Sequence, residues 1–121
     1  MPRAKILIVD DQKTDRMLLE DILNDKGYRV LTASSGPEGL EVAEGEIPDL
    51  IFMDIVMDEM DGFKACRLLT KGEKTKDIPV VMVSSNNQKV DKLWAHKQGA
   101  RAYIIKPYTV DQILDQIQRF V

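Results

Sequence analysis

Pro48-Asp49-Leu50-Ile51-Phe52-Met53-Asp54-Ile55-Val56-Met57 is the stretch on which the fold turns. Leu50 to Met53 is a continuous apolar run, long enough for a strand buried on both faces and too short for a helix. It delivers one carboxylate, Asp54, at its carboxyl end, the side on which open α/β sheets bind ligands. An acid that opens a loop is common, so this run alone does not separate a site from an ordinary strand end. Its company does. Lys5-Ile6-Leu7-Ile8-Val9 ends in Asp10-Asp11, Pro79-Val80-Val81-Met82-Val83 in Ser84-Ser85, and Tyr103-Ile104-Ile105 in Lys106-Pro107. As neighbouring parallel strands, these bring three carboxylates, a hydroxyl and an ammonium to one rim of a sheet. Each is a group suited to handling a phosphoryl group together with a divalent cation.

Helical patterns separate the strands. The first runs from about Thr14 to Lys26, with Leu18 and Ile22, and Leu19 and Leu23, as an inner stripe at i, i+4 spacing and Gly27 as its stop. Tyr28 to Ala33 reads as an edge strand. Ser35-Gly36-Pro37-Glu38 is a capping box opening a second helix that Gly45 ends. Asp61-Gly62 opens a third helix through Leu69, and Gly72 to Asp77 reads as a charged, solvated loop. A fourth helix spans Gln88 to Gln98 and stops at Gly99. Thr109-Val110-Asp111-Gln112 is another capping box, and Ile113, Ile117 and Phe120 face inward from the fifth helix. Strands alternating with helices predict a three-layer α/β sandwich around a parallel sheet with right-handed crossovers. The order 2-1-3-4-5, that of flavodoxin-like doubly wound sheets, would place the ends of strands 1 and 3 side by side where the winding reverses.

At 121 residues the chain is expected to be one domain, 1–121. No apolar run approaches the ~20 residues of a membrane span. Met1-Pro2-Arg3 leads straight into a strand without a signal-peptide pattern, and the lone Cys66 suits a reducing compartment; the expectation is a cytoplasmic protein. Cys66 reads as a core thiol and His96 as a solvated surface residue. A net charge of −3 and a pI near 5.2 argue against binding nucleic acid through phosphate contacts.

The set Asp10-Asp11, Asp54, Ser84 and Lys106-Pro107, in that order and at strand ends, resembles the receiver domain of bacterial two-component response regulators across essentially the whole chain. The resemblance implies a phosphorelay switch and not an enzyme that turns over a metabolite. It implies Asp54 as phosphoacceptor for a phosphoryl group carried on a kinase histidine, from a CheA-like or hybrid histidine kinase. Asp10, Asp11 and Asp54, with the backbone carbonyl of Val56, are implied as the Mg²⁺ site. Lys106 and Ser84 are implied partners of phosphoryl oxygens, and a cis peptide is implied at Lys106-Pro107. Tyr103 matches the aromatic switch position, so that a downstream protein would read the face of helix 4, strand 5 and helix 5. Asp91-Lys92-Leu93-Trp94 and Lys97-Gln98-Gly99-Ala100-Arg101 resemble the PilH-type regulators of chemotaxis-like systems controlling type IV pili.

Each element also has a plain reading. Asp10-Asp11 could open a loop and cap helix 1, Ser84-Ser85 could cap helix 4, and Lys106-Pro107 could be a turn. Val90, Leu93, Trp94 and Lys97 share helical spacing, and Trp94 could simply cover the sheet. Two departures from the family pattern stand out. Asp58 replaces a common proline, making the loop more acidic, and Val56 and Asn86 occupy positions that tune acyl-phosphate lifetime. A metal-dependent enzyme on a related scaffold would want an Asp-x-Asp pair, which Asp54-Ile55-Val56 lacks. A receiver-like module working without phosphorylation would lack one of the five residues.

Overall fold

The computed structural model describes residues 3–121; Met1 and Pro2, on which the reading of the leader partly rests, lie outside the described residues. Strands β1 (Lys5–Val9), β2 (Arg29–Ala33), β3 (Leu50–Asp54), β4 (Val80–Ser84) and β5 (Ala102–Ile105) pair in parallel in the order β2-β1-β3-β4-β5. β1 lies inside the sheet, with Val9 opposite both Ala33 of β2 and Met53 of β3. Between the strands run helices α1 (Lys13–Asp25), α2 (Gly36–Glu46), α3 (Gly62–Lys71) and α4 (Lys89–Lys97), and α5 (Val110–Phe120) follows β5.

The alternation of side chains along each strand creates two cores. Ile6, Ile8, Leu50, Phe52, Val81, Val83 and Ile104 are buried against α1 through Leu19 and Leu23, and against α5 through Ile113 and Ile117. Leu7, Val9, Ile51, Met53, Val80 and Met82 face α2, α3 and α4, meeting Ala43, Ala65, Cys66, Leu69 and Ala95. Small residues let the helices approach closely: a Cβ on Gly39 of α2 would sit 2.8 Å from a Val9 methyl. Cys66 is a core thiol, and burial pushes its pKa up to about 12.

Several local expectations need correction. Leu18 is 54% exposed. Its neighbour Leu19 takes the inward place, because residues one apart lie about 100° apart around a helix and both cannot face one sheet. α2 continues through Gly45 and ends instead at Ile47, whose φ of 46° is left-handed. Ser35 Oγ does accept from the Glu38 N–H at 3.2 Å, but the Glu38 carboxylate reaches back to Ser34 and not to Ser35. The Gly72–Asp77 loop is not wholly solvated. Thr75 is buried and its hydroxyl donates to the Leu69 carbonyl at 2.6 Å, closing the end of α3. Trp94 does not cover the sheet. It is half exposed on α4 and meets Phe63 of α3 edge-on, with centroids 6.5 Å apart. The Thr109–Gln112 capping box forms as expected.

Candidate functional site

The carboxyl ends of β1, β3 and β5 carry their charged residues to one hollow because strand parity and register agree. Asp10, Asp54 and Lys106 continue the alternation of Ile8, Phe52 and Ile104, the face that packs on α1 and α5. The parallel pairing of Val9 with Met53 sets Asp10 and Asp54 side by side one step further on. One oxygen from each of Asp10, Asp11 and Asp54 lies within 4.8 Å of the others. Lys106 Nζ closes the cluster, 3.3 Å from Asp10 Oδ2 and 3.5 Å from Asp54 Oδ1.

The surrounding backbone holds these groups in place. The Gln12 N–H donates to Asp10 Oδ1 at 2.9 Å, and Arg16 Nη1 donates to the Asp10 carbonyl at 2.8 Å. Neither acid caps α1: Gln12 is the N-cap, without a side-chain bond. Beside Asp54, the N-terminus of α3 comes unusually close. The Gly62 N–H donates to the Ile55 carbonyl at 2.7 Å, and a Cβ on Gly62 would run into the Asp54 carbonyl oxygen. Only glycine fits there. The Lys106 N–H donates to the Ser84 carbonyl at 2.9 Å, and the Lys106-Pro107 peptide is cis.

The electrostatics follow from burial and crowding. Burial, then the neighbouring Asp10 charge, raises Asp54 to a pKa of about 6, partly offset by Lys106. Burial works against the Lys106 charge, but the hydrogen bond to Asp15 and the charges of Asp54 and Asp10 outweigh it, so its pKa is raised and the ammonium persists. Asp11 Oδ1 is buried without a hydrogen-bond partner among the described residues. A buried carboxylate oxygen left unpaired is costly, and a cation is one group that would pair with it. Three carboxylates are the hard oxygen donors that Mg²⁺ prefers, so this set fits that ion.

Residues 6–118 match the family of the response regulator receiver domain. The chain belongs to that family. It is 44% identical to protein PilH of Pseudomonas aeruginosa over 114 residues, covering 94% of each chain. It is 37% identical to response regulator PleD of Caulobacter vibrioides, of which it spans only 24%. Among solved structures, the chemotaxis protein CheY4 of Vibrio cholerae superposes with a TM-score of 0.93 at 30% identity, covering 98% of this chain and 99% of that one. The receiver domain of the sensor histidine kinase PA1611 of P. aeruginosa, described with a magnesium ion coordinated in its active site cleft, gives 0.91 at 26% identity, covering 98% and 97%.

The other expected residues of this receiver lie on the opposite side of the sheet. Ser84 and Tyr103 continue the parity of Met82 and face α4. Ser84 is buried, and its hydroxyl accepts from the Asn86 N–H at 3.2 Å; it does not cap α4, which starts after Gln88. The Tyr103 hydroxyl donates to the Asn86 carbonyl at 2.7 Å. Burial raises the Tyr103 pKa, while the nearby Ser84 hydroxyl opposes the shift. Ser84, Asn86 and Tyr103 therefore form one small network at the start of the loop into α4. Val56 is 63% exposed on the loop just past Asp54, and His96 is exposed on α4.

The sequence reading missed Asp15. Its carboxylate is the nearest acceptor of Lys106 Nζ, at 2.9 Å. The signal was available as an acid in the first turn of α1, above the Asp10-Asp11 strand end, but it reads there as an ordinary complement to the helix dipole. Tyr108, half-buried beside Lys106, Asp15 and Asp10, was also passed over; burial raises its pKa.

Proposed function

We propose that this receiver is a stand-alone phosphorelay switch, residues 1–121 acting as one unit in the cytoplasm, loaded on Asp54 by a CheA-like or hybrid histidine kinase. The observation that carries the reading is the convergence of Asp10, Asp11 and Asp54 with the Lys106 ammonium on one rim. The 44% identity to PilH supports the PilH-type resemblance, which in turn implies a role in a chemotaxis-like system controlling type IV pili.

In the proposed reaction an Asp54 carboxylate oxygen attacks the phosphorus of a kinase phosphohistidine. The P–N bond breaks, the imidazole nitrogen keeps the electron pair, and an acyl phosphate forms. Asp10, Asp11, Asp54 and the Val56 carbonyl would hold Mg²⁺, which when bound supplies the positive charge that offsets carboxylate–phosphoryl repulsion. Lys106 stays charged throughout and pairs with a phosphoryl oxygen. Ser84 donates its hydroxyl to another. As Ser84 is drawn toward the phosphate, the bond it accepts from the Asn86 N–H is stretched, which loosens the loop that Tyr103 also holds. Tyr103 then resets the face of α4, β5 and α5 that a downstream protein binds, a shift between two populations.

Phosphotransfer from candidate histidine kinases, with and without Mg²⁺, tests the reading. Wild type takes up phosphate only with Mg²⁺, and Asp54→Asn takes up none; label on the Asp54→Asn variant at the wild-type level refutes it. Tyr103→Ala leaves uptake intact and weakens partner binding, whereas equal loss of both refutes the switch assignment.

A further inference from the structure

We propose that Asp15 is a positioning residue that competes with the phosphoryl group for the Lys106 ammonium and thereby slows loading of Asp54. The inference rests on the receiver reading above and adds a residue to it. Lys106 Nζ is 2.9 Å from Asp15 Oδ2, against 3.3 Å from Asp10 and 3.5 Å from Asp54. The lysine main chain is fixed by its bond to the Ser84 carbonyl, so the side chain alone decides which carboxylate it favours. Asp15 is held over the hollow because its neighbour Arg16 ties α1 to the Asp10 carbonyl at 2.8 Å. Asp15 is both the nearest and the most exposed of the three carboxylates, 43% against 8% for Asp10 and Asp54, so its pull on the ammonium competes with theirs.

An ammonium has three donors, and all three acids are within reach. A phosphoryl oxygen on Asp54 is a fourth acceptor. Asp10 and Asp54 are also members of the oxygen cluster suited to a cation, whereas Asp15 lies outside it. Asp15 is thus the one of the three acceptors outside the cation cluster, and the lysine must leave it, or share, when the phosphoryl group arrives. The bland alternative is that Asp15 only complements the positive end of α1.

The two are separated by loading the full chain from phosphoramidate at saturating Mg²⁺ and following Asp54 phosphate by phosphate-affinity electrophoresis. In this step the P–N bond breaks, ammonia leaves with the electron pair, and the Asp54 oxygen–phosphorus bond forms. Asp15→Asn is expected to load about two- to fivefold faster, the scale of a half-exposed ion pair. Asp15→Glu restores slow loading, and in a Lys106→Gln background Asp15→Asn changes nothing. A wild-type rate in Asp15→Asn overturns the inference, as does slower loading. An equal acceleration without Lys106 overturns it too, since the effect would then be bulk charge. If wild type does not load, or Asp54→Asn loads equally, the phosphorelay reading fails and this inference with it. If those controls behave and Asp15→Asn does not accelerate, only the role of Asp15 fails.

Discussion

Replacing Asp54 with Asn is expected to stabilise the metal-free fold. Burial and the Asp10 charge raise the Asp54 pKa from 3.8 to about 6 in the folded protein. A folded-state pKa above the unfolded one means that the native state binds the proton more tightly, so the ionised carboxylate costs stability. That cost is absent below about pH 3.8, where both states are protonated, and is fully present above about pH 6. A shift of about two pH units corresponds to about 3 kcal/mol at pH 8. This is a ceiling, because relaxation and water entry reduce such penalties. For a chain of this size it equals a rise in Tm of about 10 °C. Urea unfolding in EDTA at pH 8 and pH 4 measures it: Asp54→Asn gains stability at pH 8 and keeps only a small part of the advantage at pH 4. Adding Mg²⁺ at pH 8 narrows the gap, because ligand binding stabilises wild type selectively. A variant less stable than wild type at pH 8, or an advantage equal at both pH values, refutes the reasoning.

Gly62→Ala forces a methyl into the Asp54 carbonyl and the Ile55 Cα, both backbone atoms that cannot rotate away. It is expected to cost about 1–3 kcal/mol in denaturant unfolding and to slow phosphate uptake by shifting Asp54. Tyr103→Phe removes the bond to the Asn86 carbonyl and is expected to cost about 1 kcal/mol by the same measurement. Trp94, the single tryptophan, meets Phe63 edge-on between α3 and α4. Its emission is expected to change when Mg²⁺ and a phosphoryl analogue are added, and an unchanged spectrum argues against a coupled α4. Val56→Asn places an amide that can orient water next to Asp54 and is expected to alter the acyl-phosphate half-life; an unchanged half-life removes that role.

The sheet and the rim were legible in the sequence because both depend on short-range rules. Runs such as Leu50–Met53 are apolar throughout only if both faces are covered, and the strand-end charges can serve only where the strands end. What stayed hidden depends on the third dimension. Leu18 and Leu19 each begin an i, i+4 pair, and only the direction of the sheet chooses between them. The end of α2 falls on Ile47 and not on Gly45 because a left-handed turn is imposed by the chain entering β3, against the preference of a β-branched residue. Trp94 has the spacing of a core residue, but Ala95 holds the sheet-facing place. Asp15 belongs to a helix, and a search confined to strand ends passes over it.

Strand parity explains how one event can be sensed on two faces. Asp10, Asp54 and Lys106 fall on the side of α1 and α5, while Ser84 and Tyr103 fall on the side of α4. The sheet between them is closely packed, with fully buried Phe52, Met53 and Met82. A link is available around its end, through groups at or near the strand ends. Two such links are present among the described residues. Gly62 ties α3 to the backbone at Asp54 and Ile55, and the Ser84–Asn86–Tyr103 network ties the loop leading into α4 to β4 and β5. The first is a tight backbone contact with no slack; the second is made of two hydroxyls that can exchange partners at a cost of about 1 kcal/mol each. A phosphoryl group on Asp54 is therefore expected to perturb α4 more readily than α3. Hydrogen exchange resolves the difference: on loading, amides from Asn86 through α4 should lose protection while those of α3 keep theirs, and the reverse order would make Gly62 the transmitter.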